Sequence, residues 1–92
     1  MAHRSYEIGA TFERRVKKYF EDNGYFVIKS AGSKSPVDLV CLKLHDNILV
    51  QCRTRGNLTA EEERKLSALG NWLGCTVKLA YRQDKELWFR NL

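Results

Sequence analysis

The chain has 92 residues, with 16 Lys and Arg against 11 Asp and Glu, a formal net charge of +5 and a pI near 9.3. That length holds one domain, residues 1–92, and a content of 43% hydrophobic residues excludes a disordered basic tail. No apolar run approaches the roughly 20 residues of a bilayer-spanning helix, and the opening MAHRSYEIGA has no signal-peptide core, so no membrane or secretory role is expected.

Residues from about Tyr6 to Asp22 place Ile8, Phe12, Val16, Tyr19 and Phe20 at helical spacing, and Asn23-Gly24 supplies the stop. Tyr25–Lys29 is short, aromatic and β-branched, which predicts a strand; Ser30 to Pro36 is a loop of small residues. Val37–Leu44 and Ile48–Thr54 predict two strands of a hairpin around His45-Asp46-Asn47. Thr59 to Glu62 is a capping-box pattern opening a helix to about Leu73, with Leu66, Leu69 and Leu73 as its buried stripe and Gly74 as its stop. Thr76–Tyr81 and Glu86–Phe89 close the chain as two strands around Arg82 to Lys85. The order α-β-β-β-α-β-β predicts an α/β fold, a mixed five-stranded sheet flanked by two helices.

Cys41, Cys52 and Cys75 form an odd set whose spacing suits neither a zinc site nor a disulfide framework. Cys41 and Cys52 lie in apolar runs and are expected as small buried hydrophobes, consistent with a reducing, cytoplasmic setting.

The informative residues are polar ones inside apolar segments. Asp38 interrupts VDLVCL, where an unpaired buried carboxylate is costly. It is either a strand-end residue capping the loop or a ligand or base held on a rigid element. Gln51 and Arg53 alternate with Val50 and Cys52, so they share one face of their strand. Asp38 on the neighbouring antiparallel strand can project to that same face. Glu13 borders the apolar stripe of the first helix, where it can look toward the sheet.

The stretch GATFERRVKKYFEDNGYFVIKSAGSKSPVDLV, Gly9 to Val40, resembles the archaeal-type Holliday junction resolvases, small dimeric nucleases of the restriction-endonuclease-like fold. The most specific part is the order of Glu13-Arg14, then Ser30-Ala-Gly-Ser33, then Val37-Asp38-Leu-Val40; the rest of the chain follows the same element order. The resemblance implies a homodimeric endodeoxyribonuclease acting on branched DNA, the four-way junction above all. It implies Glu13 and Asp38 as acidic metal ligands and Ser33 as a hydroxyl near the scissile phosphate. Gln51 and Arg53 stand where the family carries Glu-x-Lys, a double departure. The dimer would form through the second helix and the last strands, where Trp72, Leu73, Trp88 and Phe89 lie.

Phosphodiester hydrolysis of this kind uses Mg²⁺, for which Mn²⁺ can substitute, to polarise the phosphate and acidify a water. Mg²⁺ takes oxygen ligands. The candidates are Asp38, Glu13, the Gln51 amide oxygen and the Cys52 carbonyl, with Gln51 contributing no charge. Arg53 can clamp a phosphate but cannot act as a base. Residues 1–55 carry ten cations against six acids, a net +4, whereas residues 56–92 net +1. Arg4, Arg14, Arg15, Lys18, Lys34 and Arg55 are the candidate DNA contacts, expected to meet backbone phosphates rather than base edges. The Gln51/Arg53 pair also keeps open a second reading: a DNA-binding module that retains the fold without the chemistry.

Overall fold

In a computed structural model, which describes the backbone of residues 2–30 and 35–92 and the side chains of 9–30 and 35–92, the seven elements occur in the expected order. They are α1 (Ala2–Asp22), β1 (Phe26–Lys29), β2 (Leu39–Leu42), β3 (Ile48–Cys52), α2 (Ala60–Leu73), β4 (Thr76–Gln83) and β5 (Glu86–Asn91). The first helix begins about a turn earlier than its apolar spacing suggests. Strands β2 and β3 are shorter than expected, because Val37 and Asp38 lie ahead of the ladder and Arg53 and Thr54 beyond it.

The sheet runs β1-β2-β3-β4-β5 in space. Every neighbouring pair is antiparallel except β3 and β4, which are parallel and joined by the α2 crossover. The β4–β5 connection is tight: Asp84 and Lys85 both adopt positive φ, 54° and 66°, the two-residue hairpin geometry that matches strand twist.

Each face of the sheet is covered by one helix. Phe12, Val16 and Phe20 of α1 pack on Leu39, Cys41, Ile48, Val50 and Ala80. On the opposite face Leu66 of α2 meets Val37, Leu49 and Val77. The alternation of strand side chains therefore assigns Cys52 to the α1 face and Gln51 to the α2 face. Cys41 is buried as expected, and burial pushes its thiol up to about 12. All three cysteines are free. No helix among the described residues is long and apolar enough to cross a membrane.

Helix α2 starts with the capping box read from the sequence: Thr59 Oγ1 accepts from Glu62 N, and Glu62 Oε1 accepts from Thr59 N, both at 3.1 Å. It ends at Gly74, whose left-handed backbone (φ 67°) returns its N–H to the Gly70 carbonyl. The buried stripe differs from expectation at its C-terminal end. Leu73 is exposed, and Gly70 instead presses on β4. A Cβ at Gly70 would lie 2.6 Å from Val77 Cγ2 and 2.9 Å from the Cys75 carbonyl oxygen. In an open helix Gly→Ala gains about 1 kcal/mol, but overpacking of this kind costs roughly 1–3 kcal/mol. Gly70→Ala is therefore expected to destabilise the fold and to lower the thermal midpoint, in a circular-dichroism melt, by about 5 °C. A raised midpoint would show that β4 yields at this contact.

Candidate active site

Asp38 sits just ahead of β2 and is held by three hydrogen bonds. Its N–H donates to the Val50 carbonyl at 3.0 Å, and its carbonyl accepts from Ser30 N at 2.9 Å. Its Oδ2 accepts from Cys52 N at 2.8 Å. The third bond has a simple origin. Along β3 the N–H groups alternate between neighbours, and Arg53 N donates to Ala80 on β4 at 2.9 Å. Cys52 N–H points the other way, toward β2, which has already ended, so the Asp38 carboxylate takes the place of the missing backbone acceptor. Among the described residues, Asp38 Oδ1 receives no hydrogen bond from the protein. Asp38 thus caps the end of β3 and lines a cleft with the same side chain.

Two clefts meet at Asp38. The first, about 370 Å³, lies between α1 and the sheet and is lined by Gly9, Phe12, Glu13, Lys29, Asp38, Cys52, Arg53 and Thr54. Glu13 projects from α1 with its side chain 25% exposed and its Oε2 3.7 Å from Lys29 Nζ. The second, about 400 Å³, lies on the α2 side and is lined by Ser35, Pro36, Asp38, Gln51, Arg53, Glu62, Lys65 and Leu66. The structure therefore brings together Glu13, Asp38, Cys52 and Arg53, and separately Asp38, Gln51 and Arg53. Glu13 and Gln51 do not share a cleft. The cause is the strand alternation that turns Gln51 toward α2 while α1 covers the other face.

Gln51 is engaged at both ends of its amide. In the orientation that satisfies both, Nε2 donates to the Pro36 carbonyl at 3.0 Å and Oε1 accepts from Arg53 Nε at 3.3 Å. The Arg53 guanidinium also donates from Nη2 to Glu62 Oε2 at 2.6 Å. The electrostatics of the first cleft converge on Cys52. Burial, then the negative charge of Asp38, then that of Glu13, raise its thiol far above the ordinary value, so the sulfur stays protonated and neutral.

The donors in the first cleft are hard oxygens: two carboxylates and the Cys52 carbonyl, which by strand geometry lies across the strand on the same side as its N–H. That set fits Mg²⁺ and Mn²⁺ and does not favour a soft metal. No cluster of three or more His, Cys, Asp or Glu side chains able to hold a metal occurs among the described residues. An ion here would rest on two acids and keep several waters.

Ser33 and Lys34 fall outside the described residues, as does the side chain of Arg4, which lies in the first turn of α1. Arg14 and Arg15 are exposed on α1, where Arg14 Nη2 donates to Thr11 Oγ1 at 3.4 Å and Arg15 Nη2 to the Lys85 carbonyl at 3.0 Å. Lys18 is paired with Asp22 at 3.0 Å, and Arg55 is exposed beyond β3. Lys29 lines the first cleft and Glu62 the second: Lys29 stands in the sequence only as one of the cations of residues 1–55, and Glu62 carries a capping pattern that accounts for it without any site.

One mixed sheet with a helix on each face, and a cleft lined by Glu13 of α1 and Asp38 ahead of β2, defines the class, an α/β fold. Archaeoglobus fulgidus Hjc, described as a Holliday junction resolvase from an archaeal hyperthermophile, shares it, with a TM-score of 0.76 at 20% identity over 90% of this chain and 71% of that one. The family model for the archaeal Holliday junction resolvase (Hjc) matches residues 4–90, and the chain belongs to that family. A relative from Methanocaldococcus jannaschii, the crossover junction endodeoxyribonuclease Hjc, is 33% identical over 95 residues, spanning 99% of this chain and 70% of its own length.

Proposed function

We propose that the chain is a metal-dependent endodeoxyribonuclease that cuts four-way DNA junctions, acting as a homodimer with Mg²⁺ as its natural ion and Mn²⁺ as a substitute. The observation that carries this reading is the placement of Asp38, fixed by its Oδ2 on Cys52 N–H, in the cleft that Glu13 also lines. When bound there, the ion would polarise the phosphate and acidify a water. Glu13, Asp38 and the Cys52 carbonyl would hold it. Gln51 belongs to the α2 side of the strand, and its amide is spent on Pro36 and Arg53. Arg53, at the meeting of the two clefts, would clamp the phosphate, with Lys29 adding positive charge beside Glu13. Ser33 keeps the role implied by the resemblance. Arg14, Arg15 and Arg55, with Arg4, Lys18 and Lys34, would meet flanking phosphates. Three free cysteines accord with a cytoplasmic location.

The second copy would dock on the apolar face away from α1. Register pairs Phe26 with Leu42 and Ile28 with Val40, and Val40 packs in the cluster under α2, so these side chains share the α2 face. Phe26, Ile28 and Leu42 are exposed there, and Trp72 and Leu73 are exposed at the C-terminal end of α2. In this reading the last strands would contribute less than the second helix. Phe89 turns inward against Tyr19 and Phe20, with ring centroids 4.9 and 5.4 Å apart.

The test is incubation of the protein with end-labelled duplex, flap and four-way junction DNA, with Mg²⁺, with Mn²⁺ and with neither. Metal-dependent cuts confined to the junction are expected. Junction binding with no cut under either metal would establish the non-catalytic DNA-binding module that the Gln51/Arg53 pair leaves open.

A further inference from the structure

Among the described residues Arg53 is the one cation that lines both clefts, and its direction decides whether it can reach a phosphate there. A free arginine side chain samples many rotamers, so a pre-set guanidinium needs partners that fix its plane. Two polar contacts do this. Gln51 Oε1 accepts from Nε at 3.3 Å, and Glu62 Oε2 accepts from Nη2 at 2.6 Å. Gln51 carries no charge, so Glu62 is the only carboxylate in contact with Arg53 among the described residues. Glu62 is itself anchored, because its second oxygen holds the Thr59 N–H at the start of α2.

We infer that Glu62 is a positioning residue of the nuclease site, orienting Arg53 toward the scissile phosphate from the first turn of α2. This rests on the nuclease reading above and extends it to a residue whose sequence pattern announces only a helix cap. The contacts form one continuous chain, from the Pro36 carbonyl through Gln51 and Arg53 to Glu62 and Thr59. Through it the α2 N-terminus and the segment entering β2 set a single side chain. Bound phosphate would take the guanidinium edge that Glu62 and Gln51 leave free, and the carboxylate would hold that edge facing the cleft.

The capping geometry makes the test clean. Gln at this position of a capping box still accepts from the N-cap N–H, so Glu62→Gln keeps the acceptor at the helix start while removing the charge that holds Arg53 and strengthens the bond to Thr59 N–H. The full-length protein is assayed on a four-way junction at saturating protein with Mg²⁺. Glu62→Gln is expected to lower the single-turnover cleavage rate roughly tenfold or more, with junction affinity unchanged within about threefold and a thermal midpoint that falls less than in Thr59→Ala. Thr59→Ala does the reverse: it removes the hydroxyl that caps Glu62 N–H but keeps the backbone N–H that anchors Glu62 Oε1, so it lowers the midpoint and spares the rate. A readout independent of cleavage comes from ¹⁵N spectra of the free protein, where the Arg53 Nε–H signal should broaden in Glu62→Gln and stay sharp in Thr59→Ala. Wild-type rate in Glu62→Gln would overturn the inference, as would equal rate loss in Thr59→Ala, which would assign the effect to the helix cap. A wild type that cuts no junction would sink the nuclease reading, whereas an unchanged Arg53 signal in Glu62→Gln would sink the positioning role by itself.

Discussion

Replacing Asp38 by asparagine is expected to reduce junction cleavage about a thousandfold or more, since under the proposed function it removes one of two anionic ligands. The substitution isolates chemistry from architecture because of what each carboxylate oxygen does. An asparagine oxygen can still accept the Cys52 N–H that Oδ2 accepts now, so the ends of β2 and β3 stay closed. Junction affinity in metal-free buffer should remain within about threefold, because no phosphate contact is lost. Alanine at the same position is a different experiment: it would orphan the Cys52 N–H at a cost of about 1–3 kcal/mol. Cleavage by single-turnover gel assay, affinity by fluorescence anisotropy and stability by thermal melt separate the three effects. If Asp38→Asn binds junctions much more weakly, Asp38 is a structural residue and the first cleft is not the active site.

How much of this arrangement the sequence carries depends on the range of the interaction. Phe12, Val16 and Phe20, the Thr59 capping box and the Gly74 stop are local patterns, and all three are legible because a turn of helix contains its own evidence. Asp38 is legible as an anomaly, a carboxylate inside an apolar run. Its specific duty, accepting an N–H from residue 52, depends on where β2 ends, and strand ends are set by tertiary pairing. The separation of Gln51 from Glu13 follows the same logic. Period two correctly joins Gln51 to Arg53 on one face, but only the structure shows which helix covers which face. The buried stripe of α2 fails at Leu73 for a related reason. Gly70, which carries no side chain to mark it in an apolar pattern, is the buried residue against Val77, whereas Leu73 in the last turn is exposed.

The second large effect concerns assembly. In sedimentation at tens of micromolar the wild type is expected to be a dimer. Phe26→Glu, or Trp72→Glu, should raise the dimer dissociation constant about a hundredfold, the scale expected when a buried aromatic anchor is lost. Neither residue stabilises the single chain much. Phe26 is 68% exposed and Trp72 80% exposed, so a charge at either position should leave the thermal midpoint of the monomer nearly unchanged. Trp88→Glu is the control. It is also exposed, but it lies on β5, at the far edge of the sheet from β1, and should leave the dimer intact. The functional consequence follows from symmetry. A four-way junction is nearly twofold, and an isologous dimer presents two sites to its matched strands. The monomeric variants should therefore lose paired incisions much more than single nicks. On a cruciform plasmid this would appear as nicked circles accumulating in place of linear product. A wild type that sediments as a monomer, or a Phe26→Glu variant that still makes paired cuts, would remove the β1–β2 face as the meeting surface of two copies.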